Sequence, residues 1–388
     1  MSFQAGVTGH VARRAHVDAE QRDGARSILM AAAALRWAGM AFVAAMCGLS
    51  VTVVCFALAL CGAAPARALA FWAWAAMAIA LCYALFRVRI DAPDGVKASK
   101  RGEPTLWRVV EDICAAAGTA PPAGIFIVDD ANASSAIVPR ARWRGDAENY
   151  LVLGLPLLIA LTPAQARAVI AHEVGHLAMA HGKSVVAIRK TLAIFDMIAA
   201  RAQETGNLTL QLLSRFYDFA GAPFAAAANR LSRAHEFAAD RVAGDIAGCV
   251  AAAEALIAMA LVEQLIGERV CLLSQERQLI ETRQPADMGS PLVSILTQTG
   301  AAQCSHPALA ERLAALGVGA RAPAPAGPDH AAAAWIENLD ALVAQFDSDR
   351  RRWIAARQGF ADSPACPDES ADMAIPAPAR IAMAQPAF

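Results

Sequence analysis

The chain has 388 residues, enough for two domains of average size, and carries a formal net charge of −1. Its hydrophobic set makes up 57% of the residues, and counting glycine in place of tyrosine brings the apolar share to about 63%, against 45–50% in ordinary globular proteins; charged residues are 18%. Such a composition excludes an intrinsically disordered chain, and without a basic field the chain is not read as a nucleic-acid binder.

The apolar excess has a location. Residues 1–37 form an N-terminal segment carrying Arg13, Arg14, Arg22, Arg26 and Arg36. From Trp37 to Phe86 the only charged residue is Arg67. A helix needs about 20 apolar residues to cross a hydrocarbon core of about 30 Å. The stretch 38–87 therefore predicts a transmembrane hairpin, with spans over about 39–62 and 68–86 and a tight turn around Pro65. It starts too late and runs too long for a cleavable signal peptide. Arg87, Arg89, Lys97, Lys100 and Arg101 follow it. The positive-inside rule then places the N-terminus and everything after the hairpin in the cytoplasm, as in an integral protein of a bacterial inner membrane. The nine cysteines are scattered, with no C-x-x-C pair, so neither a disulfide framework nor a cysteine metal site is expected.

Residues 88–103 read as a charged linker and 104–318 as a compact mixed domain. Within it Gly124–Val128 and Tyr150–Leu153 are strand-like runs between turn residues. Past Leu161 the pattern is helical almost throughout, so the fold class is mainly α, of the α+β kind, with a small sheet. From 319 to 388 a Pro/Ala-rich tail is expected, containing one amphipathic helix at about 335–357. In that helix Asp347, Asp349, Arg350, Arg351 and Arg352 read as a solvated face, and the residues after it as disordered.

Chemistry enters at the first long helix of the mixed domain. Thr162-Pro163-Ala164-Gln165 is a capping box with proline at the first helical position. The helix that starts there contains His172-Glu173-Val174-Gly175-His176. Residues four apart lie about 40° apart around a helix and about 6 Å along it, so His172 and His176 can converge on one tetrahedral ion. Glu173, beside the first ligand, can reach a water on that ion and act as general base. With this composition a chance H-E-x-x-H arises in roughly 0.6% of shuffled chains. A helix with two exposed histidines is the bland alternative.

A catalytic zinc needs a third protein ligand and one open position. A histidine ten residues after the first would fall on Gly182, with His181 one position out of register; a glutamate 19 residues after the second would fall on Phe195. Asp196, one further, is a weak competitor. Ser232-Arg233-Ala234-His235-Glu236-Phe237-Ala238-Ala239-Asp240 offers a better set, because Glu236 and Asp240 share one helix face. Glu236 can coordinate while Asp240 accepts the free ring N–H of a ligand histidine. His235 points about 100° away from Glu236 and is not expected to coordinate.

H-E-V-G-H followed by S-R-x-x-E-F-x-A-D resembles the HtpX and CAAX-prenyl-endopeptidase group of membrane zinc metallopeptidases, over roughly residues 100–318. Asn132-Ala133 is similar to the group's Asn-Ala near its substrate-binding edge. Ser305-His306-Pro307 with Arg312 is similar to its Ser/Thr-His-Pro segment with a downstream arginine. The resemblance implies a zincin-type domain of the gluzincin kind holding one Zn2+ per chain. His172, His176 and Glu236 would be the ligands, Glu173 the base and Asp240 the residue that orients a ligand. His306 or Arg312 would bind the developing oxyanion, and Asn132 would contact substrate. Its expected partners are the lipid bilayer and protein or peptide substrates, unfolded or membrane-associated, as in membrane protein quality control. In one respect the chain departs from HtpX-like proteins: the segment 182–229 is broken by charges and does not fit a second pair of spans. A membrane-anchored peptide-binding chaperone or scaffold with a non-hydrolytic zinc site is the alternative function.

Overall fold

A computed structural model of the chain describes residues 29–46, scattered residues between 48 and 76, and then 92–139, 147–179, 183–206, 208–266, 272–282, 306–321, 323 and 326–361. They divide into two compact units, residues 1–90 with 182–230, and residues 91–181 with 231–388.

In the first unit α1 (Leu29–Met46) is, among the described residues, the one helix long and apolar enough to cross a membrane. It is already helical at Leu29, about ten residues before the expected start, because the alanine-rich run 31–34 favours helix on the near side of Arg36. Most of the expected second span, 68–86, lies outside the described residues, as does the tight turn before it. Val43 of α1 is fully buried in one cluster with Ile194, Ile198, Leu213 and Tyr217. Phe42 stacks on Phe216 with ring centroids 5.5 Å apart.

The second unit is built on a mixed sheet of four strands, β1 (Val96–Ala98), β2 (Gly124–Val128), β3 (Ala133–Pro139) and β4 (Ala147–Gly154), in the order β1-β2-β4-β3. The central pair is parallel, with Phe126 opposite Val152, and both outer pairs are antiparallel. The strand β2 matches its expected run. Two strands were not foreseen. The stretch 88–103 is not a plain linker, since β1 lies inside it and pairs Lys97 with Phe126; three residues in a charged stretch leave no apolar signature. β3 begins Ala-Ser-Ser-Ala, a sequence with little preference for strand, and is held by its ladder to β4 and by packing beside the first metal helix. Gly154 is required where β4 ends. A Cβ there would overlap the carbonyl oxygen of Asp130, and the Gly154 N–H donates to the Asn132 carbonyl at 2.8 Å.

Helices cover this sheet: α2 (Pro104–Ala116), α3 (Leu155–Ala160) and α4 (Pro163–Met179). After α5 (Lys183–Thr205) and α6 (Leu208–Ala220), both of the first unit, α7 (Ala222–Ala247) carries residues of each unit. The second unit continues through α8 (Cys249–Ile266), α9 (Leu273–Glu281), α10 (Leu309–Leu316), α11 (Ala331–Trp335) and α12 (Leu339–Ala361). A single core unites Leu106, Ile113, Ile125, Leu151, Ile170 and Val174 with Ala331, Trp335, Leu339, Leu342, Val343 and Phe346.

The region from 319 is therefore not simply a tail, because residues from 331 to 346 complete the core. Nor is its helix a solvated face. Asp347 is 5% exposed, and Arg350 pairs with Asp129 and Glu276. Leu339, Leu342, Val343, Phe346 and Arg350 follow one helical stripe, so Arg350 points inward with the apolar residues while Asp349, Arg351 and Arg352 stay exposed. The expected continuous helix at 335–357 is interrupted, with Trp335 closing α11 and Leu339 opening α12.

Candidate metal centre

The first metal helix starts as its sequence dictates. The Gln165 N–H donates to Thr162 Oγ1 at 3.3 Å, and the Thr162 N–H donates to Gln165 Oε1 at 3.0 Å. Two turns on, α4 presents His172 and His176 on one face. Between them Gly175 faces α7. A Cβ at Gly175 would lie 3.2 Å from Ala239 Cα and 3.2 Å from Val242 Cβ, so the missing side chain allows the two helices to approach closely. That approach brings Glu236, one turn before Ala239, up to the histidine pair.

His172 Nε2 and His176 Nε2 are 3.1 Å apart. The Glu236 carboxylate oxygens lie 3.6 Å from His172 Nε2 and 3.4 Å from His176 Nε2. Tetrahedral coordination with bonds of 2.0–2.1 Å puts neighbouring donor atoms about 3.3 Å apart, and the three side chains form a triangle of that scale, with Glu236 Oε2 toward His172 and Oε1 toward His176. Glu173 also offers an oxygen, and His172, Glu173 and His176 have donor atoms all within 4.8 Å of one another. Glu173 is 6% exposed, and its Oε2 has no hydrogen-bond partner among the described residues. A buried, unsatisfied carboxylate oxygen beside two imidazoles is placed to accept from a metal-bound water. The residues fit a metal ion.

Polar groups behind the triangle hold it. His172 Nδ1 is 3.0 Å from Asp240 Oδ1, which puts the ring proton on Nδ1 and leaves the Nε2 lone pair facing the triangle. Asp240 also receives a fork from Arg312, Nε to Oδ2 at 2.8 Å and Nη2 to Oδ1 at 2.6 Å. Arg312 Nη2 lies 3.3 Å from Glu236 Oε2, and His306 Nδ1 lies 3.2 Å from Glu236 Oε1. Burial opposes the charge on Glu236, yet hydrogen bonds with His176 and His306 and the nearby charges of His172 and Arg312 hold its carboxyl far below the usual range. For Asp240 burial is again outweighed, here by the hydrogen bonds of Arg312 and His172, and its pKa is lowered. Both carboxylates stay ionised while almost wholly buried, the protonation state that metal coordination by a carboxylate requires.

A model of peptidase family M48 matches residues 101–318. The chain belongs to peptidase family M48. The resemblance in the two helical motifs thus holds at the level of the family. Among solved structures the chain is similar to a crystal structure of S. mikatae Ste24p, at 19% sequence identity and a TM-score of 0.34, over 59% of this chain and 50% of that one. It spans half the length of that chain. A search of curated proteins finds no match.

Within this M48 chain the structure gathers His172, Glu173, His176, Glu236, Asp240, His306 and Arg312 into one network. Asn132 lies immediately before the edge strand β3; its Oδ1 accepts from the Ala133 N–H at 2.8 Å, and its carbonyl accepts from the Gly154 N–H at 2.8 Å. His181 lies outside the described residues, and Asp196 sits on α5 in the other unit. His235 is half-buried, and its pKa is lowered by burial and then by the charge of His176. One supporting pair escaped the sequence. Arg233, inside the S-R-x-x-E motif, donates to Glu311 at 2.8 Å, and Glu311 accepts from the Ala308 N–H at 3.0 Å at the start of α10. This pair fixes the helix that carries Arg312. Its only sequence signal was the Glu at the third position of α10.

Proposed function

We propose that this protein is a membrane-anchored zinc endopeptidase that hydrolyses peptide bonds in protein substrates. The observation that carries the proposal is the convergence of His172, His176 and the two Glu236 oxygens at 3.1, 3.4 and 3.6 Å, with an unsatisfied Glu173 oxygen beside them. His172, His176 and Glu236 hold one Zn2+ per chain. When bound, zinc lowers the pKa of water towards about 7 and polarises the scissile carbonyl. Glu173 takes the proton of the attacking water on its unsatisfied oxygen and delivers it to the leaving amine. Asp240 keeps His172 in the tautomer that coordinates, and Arg312 keeps Asp240 ionised and in place. Because the Arg312 fork is taken up by Asp240, His306, with 44% of its side chain exposed, is the residue placed to donate to the developing oxyanion.

β3 is an edge strand running beside α4, so an extended substrate segment can add to it by backbone hydrogen bonds, with Asn132 at its start. Selection then depends on unfolded or extended segments, as suits removal of damaged membrane proteins. The residues from 38 to 87 form a two-helix membrane anchor, of which α1 is the first part. The flanking arginines and lysines place both ends, and the metal centre, on the cytoplasmic side of a bacterial inner membrane.

Glu173→Gln, purified in detergent, tests the assignment. It is expected to bind zinc at wild-type stoichiometry, lose casein cleavage and retain substrate that co-purifies. Casein cleavage at the wild-type rate by Glu173→Gln, with contaminating protease excluded, overturns it. Stoichiometric zinc and peptide retention without cleavage by the wild-type protein would instead identify a peptide-holding scaffold.

A further inference from the structure

Large apolar side chains left exposed are concentrated in the first unit. Beyond residue 86, those among the described residues are Leu208, Leu212 and Phe219, all on α6, and Val250. Phe219 is 86% exposed and Leu208 68%. At 3.6 residues per turn the three α6 side chains fall within about 40° of one another, and their stripe runs about 16 Å along the helix. Single exposed apolar residues are ordinary on a soluble surface, but three aligned on one short helix make a face.

The opposite side of α6 is already occupied. Leu213 and Tyr217 are buried in one cluster with Val43 of α1 and with Ile194 and Ile198 of α5. Phe216 stacks on Phe42, and the Tyr217 hydroxyl donates to the Leu35 carbonyl at 3.5 Å. α6 therefore lies directly against α1, the helix apolar enough to cross a membrane, and turns a second apolar face away from that contact. The contact falls on the stretch of α1 that holds Arg36 and the exposed Trp37, residue types that favour the membrane–water interface. With 13 residues, or about 20 Å, α6 is too short to cross a hydrocarbon core of about 30 Å. The exposed Arg215 lies within the stripe, between Leu212 and Phe219. A guanidinium there suits the headgroup boundary, where its stem rests among acyl chains and its head meets phosphate. We propose that α6 is an interfacial membrane helix, whose Leu208, Leu212 and Phe219 enter the bilayer at the boundary of headgroups and acyl chains beside α1. The inference rests on α1 being the membrane anchor. The chain between the two metal motifs then touches the membrane a second time without crossing it.

Photocrosslinking of the full-length protein tests this. p-Benzoylphenylalanine would replace Val53, Leu208, Asp218 or Phe219, one position at a time. Each protein would be placed in nanodiscs of phosphatidylethanolamine and phosphatidylglycerol and irradiated, and its adducts identified by mass spectrometry, with far-UV circular dichroism as the check of folding. Val53, an exposed residue of the first expected span, reports on the anchor; Asp218, about 100° around α6 from Phe219, reports on the flank. The expected result is lipid adducts at Val53, Leu208 and Phe219, with a yield at Asp218 lower by about fivefold or more. Absence of lipid adducts at both Leu208 and Phe219 overturns the proposal; crosslinks to a second copy of the chain would instead assign the face to self-association, and crosslinks within the chain to another of its segments. Equal lipid yield at Asp218 and Phe219 also overturns it, because α6 would then have no membrane-facing side. Lipid adducts at Val53 without any on α6 leave the anchor standing and sink this inference, whereas the reverse pattern keeps the α6 contact and removes the anchor. If the protein altered at Phe219 does not fold, Leu208 carries the test.

Discussion

Substitution of Gly175 by alanine tests whether helix contact sets the metal geometry. The added methyl would sit 3.2 Å from Ala239 Cα and 3.2 Å from Val242 Cβ, whereas carbon atoms rest at about 3.5–4.0 Å. Neither neighbour can rotate away, because both are fixed to the α7 backbone, so the two helices must separate by a few tenths of an ångström. Alanine is favoured over glycine in a helix interior by about 1 kcal/mol, and overpacking costs about 1–3 kcal/mol. Gly175→Ala should therefore destabilise the apoprotein by about 0–2 kcal/mol. Its larger effect falls on the metal. The 3.1 Å separation of the two imidazole nitrogens lies within α4 and is unaffected, but the 3.4 and 3.6 Å legs to Glu236 cross to α7 and lengthen. A loss of about tenfold in zinc affinity, or about 1.4 kcal/mol, is expected. Gly244 on α7 provides the control. A Cβ there meets Cys249 Sγ at 3.1 Å and Leu316 Cδ2 at 3.3 Å, both ends of side chains that can turn aside. Gly244→Ala should be neutral or stabilising by up to about 1 kcal/mol, with unchanged zinc affinity. Thermal unfolding with and without zinc, and competition against a chromophoric chelator, read both quantities. If Gly175→Ala is as stable as Gly244→Ala and binds zinc like wild type, the close approach of the helices does not set the triangle.

Three further outcomes follow from the same contacts. Asp240→Asn leaves the Arg312 charge buried without its fork and should cost about 3–5 kcal/mol in urea unfolding and about 10–100-fold in zinc affinity; adding Arg312→Met should recover stability but not zinc binding. Trp335→Ala, at a 6%-exposed site beyond the family match, should cost about 3–5 kcal/mol, measured by the shift of the unfolding midpoint. Burial, followed by the charge of Glu111, pushes the Cys114 thiol up to about 11. At pH 8 it should resist iodoacetamide in the folded protein while the exposed Cys249 reacts, as read by peptide mass spectrometry. Its contribution to the pH dependence has a defined sign: the unfolded thiol ionises first, so stability is unaffected below the ordinary thiol range and falls as pH rises from there through about 11.

Local chemistry was the legible part of this protein. The capping box, the paired histidines and Glu173 lie within five turns of one helix, so spacing alone puts them together, and the same holds for Glu236 with Asp240. Their meeting was not local. It depends on Gly175, whose role is visible only when α7 is packed against it, and on Arg312, whose fork closes on a residue 72 positions away. β3 was hidden because Ala-Ser-Ser-Ala carries no strand signal of its own and takes its conformation from β4. Arg350 was hidden among three consecutive arginines. Only the stripe through Leu339, Leu342, Val343 and Phe346 marks it as the one that turns inward.

Closure of the core by α12 imposes an order in time. Phe346 belongs to the same core as Ile170 and Val174, so that core cannot be complete until residues about 170 positions later have been synthesised. At 5–20 residues per second that interval is about 10–30 s. Through it the sheet and the H-E-x-x-H helix have emerged, but the apolar face destined for α11 and α12 is bare. In a nascent chain of this protein the helix of the candidate metal centre is thus made well before α11 and α12, which complete the core beneath it.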